Sequence, residues 1–186
     1  MREFGLGPEL WIERDDFAEV PAKGFFRLFP GNRVRLKYGY VVECTGCEKD
    51  ANGGVTRVLA KLVADTRSGT PGADAVKVKG TLTWLAVDDA LPAEVRLYDR
   101  LFNVEEPGKV EDYRTVLNPA SLEVVGDAKV EPSAAAAAAG TRMQFERIGY
   151  FCVDTDSTPS RPVFNRTVTL KDSWARIEGK AESKAT

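Results

Sequence analysis

Arg33-Val34-Arg35-Leu36-Lys37-Tyr38-Gly39-Tyr40-Val41-Val42 alternates basic and apolar residues before turning wholly apolar. Successive side chains of a strand point to opposite faces, so this period of two predicts a β-strand with one charged, solvent-facing side and decides against a helix. Downstream, the segment Cys47 to Val55 contains Asp50-Ala51-Asn52-Gly53-Gly54, whose Asn-Gly supplies the positive-φ residues of a hairpin turn into a second strand, Val55 to Val63. The stretch from Asp65 to Ala75 is dense in turn residues and without period, which predicts a mobile loop. Further strands are expected over Val76 to Leu85, Ala93 to Phe102, Leu122 to Val130, Met143 to Val153 and Pro162 to Lys171.

Helical signal is scarce. Val110 to Leu117, stopped by Asn118-Pro119, predicts a short crossover helix. Ser133 with Ala134 to Ala139, closed by Gly140, predicts either one helical turn or a flexible tract on the surface, because alanines bury little. The class is therefore all-β, at least seven short strands forming β-barrels or a sandwich, with two barrels in tandem the favoured arrangement. Residues 1–10 are expected to be disordered or a linker, 11–175 to hold both barrels, and 176–186 to be a flexible tail.

Composition narrows the function. At 186 residues, 43% hydrophobic and 29% charged, the chain is apolar enough to fold around a real core. It contains no histidine, which removes the commonest general base, the usual nucleophile pairs and the usual zinc ligand. Three cysteines do not make a disulfide framework, and Cys44-Thr45-Gly46-Cys47, with only Cys152 to help, falls short of a four-ligand zinc site and reads as structural. Asp15-Asp16 and Asp88-Asp89 are neighbours at element ends, where acids cap or turn the chain rather than share a catalytic pocket. No run approaches the length of a membrane span and no signal peptide is visible, so the expected compartment is the cytoplasm, with no membrane partner.

A net charge of -2 argues against a general nucleic-acid coating, and DNA is not an expected partner. Any RNA contact must be local. Between Val20 and Tyr40 lie five basic residues, Lys23, Arg27, Arg33, Arg35 and Lys37, and no acidic one.

Several separate motifs then resemble one family in one order. Trp11-Ile12-Glu13-Arg14-Asp15-Asp16-Phe17, Phe25-Phe26-Arg27-Leu28, Gly31-Asn32-Arg33-Val34-Arg35-Leu36-Lys37, Lys77-Val78-Lys79-Gly80-Thr81-Leu82-Thr83-Trp84, Arg96-Leu97-Tyr98-Asp99-Arg100-Leu101-Phe102, Gln144-Phe145-Glu146-Arg147-Ile148-Gly149-Tyr150-Phe151-Cys152 and Pro162-Val163-Phe164-Asn165-Arg166-Thr167-Val168 are similar to the anticodon-binding region of bacterial glutaminyl-tRNA synthetases, collinearly from about Trp11 to Trp174. The resemblance implies two β-barrels whose pockets splay apart and read the anticodon bases of tRNA-Gln. It assigns Arg27 to the third base, a guanine, Arg35 and Lys37 to the first base and its phosphate, and Gln144 and Arg147 to the middle base, a uracil. Lys37 stands where relatives often carry arginine, keeping the charge but not the planar fork.

The family draws part of the middle-base pocket from a strand upstream of the Trp-Ile-Glu-Arg motif, so that pocket is expected to be incomplete here. Class I synthetases bind ATP with a histidine-containing signature and a Lys-Met-Ser-Lys-Ser-like loop, neither of which occurs in this sequence. The expected role is anticodon recognition without a catalytic or metal site. No cofactor is expected in this chain, while ATP and magnesium belong to the catalytic domain of the same enzyme, its second expected partner. The competing readings are the related glutamyl-tRNA synthetase branch and a β-barrel scaffold that binds no RNA. The scaffold would need an exposed apolar docking patch.

Overall fold

The charged-out, apolar-in alternation builds the first sheet, but not as one long strand. The computed structural model describes residues 4–170, and the expected tail at 176–186, with Trp174, lies outside the described residues. The chain divides into two compact units, the first ending at Asp89 and the second starting at Ala90.

The first unit contains β1 (Leu10–Ile12), β2 (Arg33–Leu36), β3 (Val41–Lys49), β4 (Val55–Leu62), β5 (Gly80–Leu82) and β6 (Trp84–Ala86). They pair as a four-stranded sheet in the order β4-β3-β2-β5 and a separate β1-β6 pair, with β2 parallel to β5. Val34 and Leu36 are buried, while Arg33 is exposed and Arg35 is half-buried. Val34 and Leu36 join Leu28, Val42, Cys44 and Leu82 in the unit's core.

The predicted strand from Arg33 to Val42 is instead a hairpin. The chain reverses at Lys37–Tyr40, where Leu36 N–H donates to the Tyr40 carbonyl at 2.8 Å and Tyr38 takes a left-handed φ of 61°. A tyrosine in that conformation carries no turn signature, which is why the reversal is hard to read. The Asn52-Gly53 turn forms as expected, although only Gly53 has positive φ (83°). The Asp50 carboxylate completes it by accepting the backbone N–H groups of Asn52 and Gly54, each at 2.8 Å. Val76 to Lys79, predicted as strand, is irregular, and the ladder begins at Gly80.

The second unit contains β7 (Leu91–Tyr98), β8 (Leu122–Val130), the single-turn α1 (Pro132–Ala135), β9 (Arg142–Phe145), β10 (Gly149–Val153) and β11 (Val163–Thr169). These strands form one sheet in the order β8-β7-β11-β10-β9, with β7 parallel to β11. Phe164 and Phe151 are fully buried, and Phe145 packs on both rings, with centroid distances of 5.2 and 4.5 Å. Among the described residues the all-β expectation holds, with the strands paired in open sheets rather than in a ladder that closes on itself.

Three local readings are corrected. The crossover helix expected at Val110–Leu117 is not an α-helix. Short 3-10 turns at Pro107–Lys109 and Tyr113–Val116 replace it, the second tightened by Asp112, whose carboxylate accepts the Arg114 N–H at 3.0 Å. So short a segment gives an α-helix little chance to propagate. Met143 to Val153 is a hairpin, β9 and β10, with Arg147 at φ 67° in its turn. The alanine tract makes its one helical turn, but it is no surface linker: Ala134 is buried and Ala135 and Ala137 pack against the same core.

One face of the second sheet carries an ionic network. Buried Glu94 accepts Arg96 Nε at 2.8 Å and pairs with Arg161, while Arg96 also reaches Asp156 at 2.9 Å and Asp154 at 3.4 Å. The Arg96 hydrogen bond holds the Glu94 carboxyl below its ordinary range despite burial, and the Asp156 backbone N–H and the Asn165 amide do the same for Asp154. A carboxylate with a depressed folded-state pKa contributes stability above its unfolded pKa and loses it as pH falls through the folded value. The urea midpoint is therefore expected to drop progressively below about pH 4.3, and Glu94→Gln should lower it at neutral pH while flattening the acid dependence. Equal acid slopes in both proteins would remove Glu94 from the network's energetics.

Candidate nucleic-acid interface

In the first unit, Arg27 lies on a backbone held from both sides. Leu28 N–H donates to the Asp16 carbonyl at 2.9 Å, Ala18 N–H donates to the Leu28 carbonyl at 3.0 Å, and the Asn32 amide donates to the Arg27 carbonyl at 2.6 Å. One guanidinium nitrogen of Arg27 pairs with the Asp16 carboxylate. Asp16 is 0% exposed, whereas the Arg27 side chain is 38% exposed. The arginine is thus anchored through its guanidinium to a buried carboxylate, while its side chain stays part-exposed. Asp16 ends a 3-10 turn (Arg14–Asp16), so its place at an element end was legible, but its burial as the arginine's counterion was not.

Arg35 lies on β2, whereas Lys37 follows it in the turn rather than on the expected strand, and their side chains do different things. Arg35 turns inward to the 65–75 loop: Nη1 donates to the Thr66 carbonyl at 2.8 Å and to Ser68 Oγ at 3.3 Å, and Nη2 donates to the Ala73 carbonyl at 2.7 Å. Thr66 and Ala73 are themselves buried. The segment expected to be a mobile loop is therefore fastened to the sheet by an arginine expected at a nucleotide. Lys37 keeps its ammonium 5.2 Å from the Tyr38 ring centroid, while its carbonyl accepts the Trp84 indole N–H at 2.9 Å.

In the second unit, Gln144 is exposed on β9 opposite Tyr150 of β10, which in turn sits opposite Val168 of β11. Tyr150 is 46% exposed and Val168 57%. An amide, a phenol and an apolar side chain thus form one open row across three strands. Arg147 is exposed in the turn of the same hairpin, three residues from Gln144. The two residues assigned together from sequence are therefore carried by one supersecondary unit. Tyr150, an aromatic beside the amide, was missed, and its signal was the Gly-Tyr-Phe-Cys alternation that puts Phe151 in the core and the tyrosine outside.

Cys44 is buried and Cys47 half-buried on β3, and burial pushes the Cys44 thiol up from its ordinary range, the opposite of an activated nucleophile. Among the described residues no three His, Cys, Asp or Glu side chains converge as metal ligands, and no helix is long and apolar enough to cross a membrane.

Comparison with known proteins shows the family. Two family profiles, both described as tRNA synthetases class I (E and Q), anti-codon binding domain, match residues 1–63 and 81–154. The chain belongs to this family of anticodon-binding domains. Within it the similarity runs to the glutamine branch: the chain is 59% identical over 177 residues to Glutamine--tRNA ligase of Ralstonia pickettii (strain 12J), covering 94% of this chain and 31% of that protein. It is 59% identical over 176 residues to Glutamine--tRNA ligase of Bordetella avium (strain 197N), covering 94% of this chain and 30% of that protein. The chain thus spans about a third of the length of the curated relatives it matches.

Proposed function

We propose that this chain reads the anticodon of tRNA-Gln as the C-terminal part of a glutamine–tRNA ligase. Arg27 carries the proposal. A guanidinium anchored at one nitrogen to a buried carboxylate, on backbone bonded from both sides, is preset to meet the O6 and N7 acceptors of a guanine without first being ordered. Gln144, which can both donate and accept, and Arg147 serve a second base from the other unit. Lys37 contributes charge near a phosphate. Chemistry with ATP and magnesium belongs to the catalytic domain of that ligase. The proposed setting is the cytoplasm, which suits three free cysteines.

The test is titration of a tRNA-Gln anticodon stem-loop against this chain at two salt concentrations, beside a stem-loop altered at the third anticodon base. Binding should weaken with salt, and the altered base should cost about 1–3 kcal/mol. Arg27→Lys retains a cation for Asp16 but not the fork. It should keep the salt slope and lose most of the third-base preference. Binding indifferent to that base in the wild type would overturn the assignment, and a preference for a tRNA-Glu loop would place the chain in the glutamate branch.

A further inference from the structure

Beside Arg27, the ring of Phe26 is 51% exposed, an unusual position for a phenylalanine on a well-fixed backbone. The segment is not loose. Phe25 N–H donates to the Ala22 carbonyl at 3.0 Å, Leu28 is bonded on both sides to Asp16 and Ala18, and the Phe26 carbonyl lies so close to Gly80 that a Cβ there would come within 1.9 Å of it. The ring has one neighbour of note: Lys79 Nζ lies 5.0 Å from its centroid. Lys79 and the nearby Lys77 are both exposed. An aromatic ring half-exposed on well-bonded backbone, with one ammonium group beside it and an arginine next in the chain, combines the two features that bind single-stranded nucleic acid: a π-face for a base and positive charge for its phosphate.

We propose that Phe26, with Lys79 beside its ring, is a stacking platform for an unpaired base of the anticodon loop, next to the base held by Arg27. The proposal rests on the RNA-binding reading of the first unit. Neighbouring side chains of an irregular segment diverge, so Phe26 and Arg27 serve adjacent bases rather than one. The platform adds affinity with little base preference, because every base has a π-face, and Lys79 adds one phosphate contact.

The test uses the full chain with a tRNA-Gln anticodon stem-loop, comparing wild type, Phe26→Leu, Phe26→Tyr and Lys79→Gln. Phe26→Leu should weaken binding on the order of 10-fold and leave the third-base preference in place, while Phe26→Tyr binds as wild type does. By NMR, one loop-base H6 or H8 resonance should move upfield in the complexes of the wild type and of the Phe26→Tyr variant, and not in that of Phe26→Leu. Lys79→Gln should reduce the salt slope by about one phosphate contact. Unchanged affinity of Phe26→Leu together with no ring-current shift, in a wild type that still prefers the cognate loop, would overturn the platform and spare the reading of Arg27. Loss of cognate preference in the wild type itself would instead overturn the reading on which the platform rests.

Discussion

Gly80→Ala is expected to destabilise the first unit severely and to abolish selective RNA binding at the same time. A Cβ built at Gly80 lies 1.9 Å from the Phe26 carbonyl oxygen, 3.1 Å from its carbonyl carbon and 3.1 Å from Val34 Cγ1. A carbon and an oxygen need well over an ångström more, and the obstructing atom is backbone, which cannot swing away as a side-chain end would. Either β5 must part from β2, breaking the parallel ladder at Val34–Gly80, or the Phe25–Leu28 segment must move with Arg27 and Phe26 on it. Overpacked cores usually lose about 1–3 kcal/mol, and a clash with main chain puts this one at about 4 kcal/mol. Urea unfolding and stem-loop titration of the same variant check both halves. A variant that melts like the wild type would show that the segment yields cheaply, and Phe26 would then lose its claim to a rigid seat.

Arg35→Ala is expected to cost nearly as much, for a different reason. Its guanidinium supplies charged donors to the carbonyls of Thr66 and Ala73, both buried, and to Ser68 Oγ. Thr66 in turn holds the sheet, its hydroxyl accepting the Val41 N–H at 2.9 Å and donating to the Val63 carbonyl at 2.7 Å. Removing the arginine withdraws charge-assisted bonds from two buried acceptors at about 1–3 kcal/mol each, or about 2–6 kcal/mol in all. Arg35→Lys should recover only part of this, because one ammonium cannot span Thr66 and Ala73 as the fork does. The readouts are the urea midpoint and proteolysis within residues 65–75, both without RNA. A normal midpoint and an intact loop, combined with lost RNA binding, would return Arg35 to the direct nucleotide contact that the family resemblance implies.

What could be read from sequence followed simple period and turn chemistry. The bounds Leu122–Val130 agree to the residue, and the hairpin at Asn52-Gly53 is readable because Asn-Gly tolerates the positive φ that such a turn needs. Reversals at Tyr38 and Arg147 were invisible, since each puts a side chain of no turn propensity into the left-handed region. The alanine tract misleads for the converse reason: little area per residue suggests exposure, whereas small side chains let α1 approach the core.

The sequence suggests candidate residues but not their arrangement. Arg27, Gln144 and Arg147 reach the surface with the chemistry their assignments require, but nothing in a run of basic residues shows that Arg35 will turn toward carbonyls of a loop some thirty residues on. Nor does sequence bring Lys79 to Phe26, a proximity that accompanies the close approach of Gly80 to the Phe26 carbonyl.

The parallel pairings of β2 with β5 and of β7 with β11 also set an order of events when the chain is made. The hairpins β2–β3–β4 and β9–β10 link neighbours in sequence and can close as soon as they exist. Val34 must wait for Gly80, and Val95 for Phe164, each ladder closing a long loop before it gains a hydrogen bond. Until β11 arrives, β7 presents one bare row of N–H and C=O groups, an edge that another nascent chain can capture. The strand that completes the second sheet thus also ends its period of greatest exposure to misassembly during synthesis.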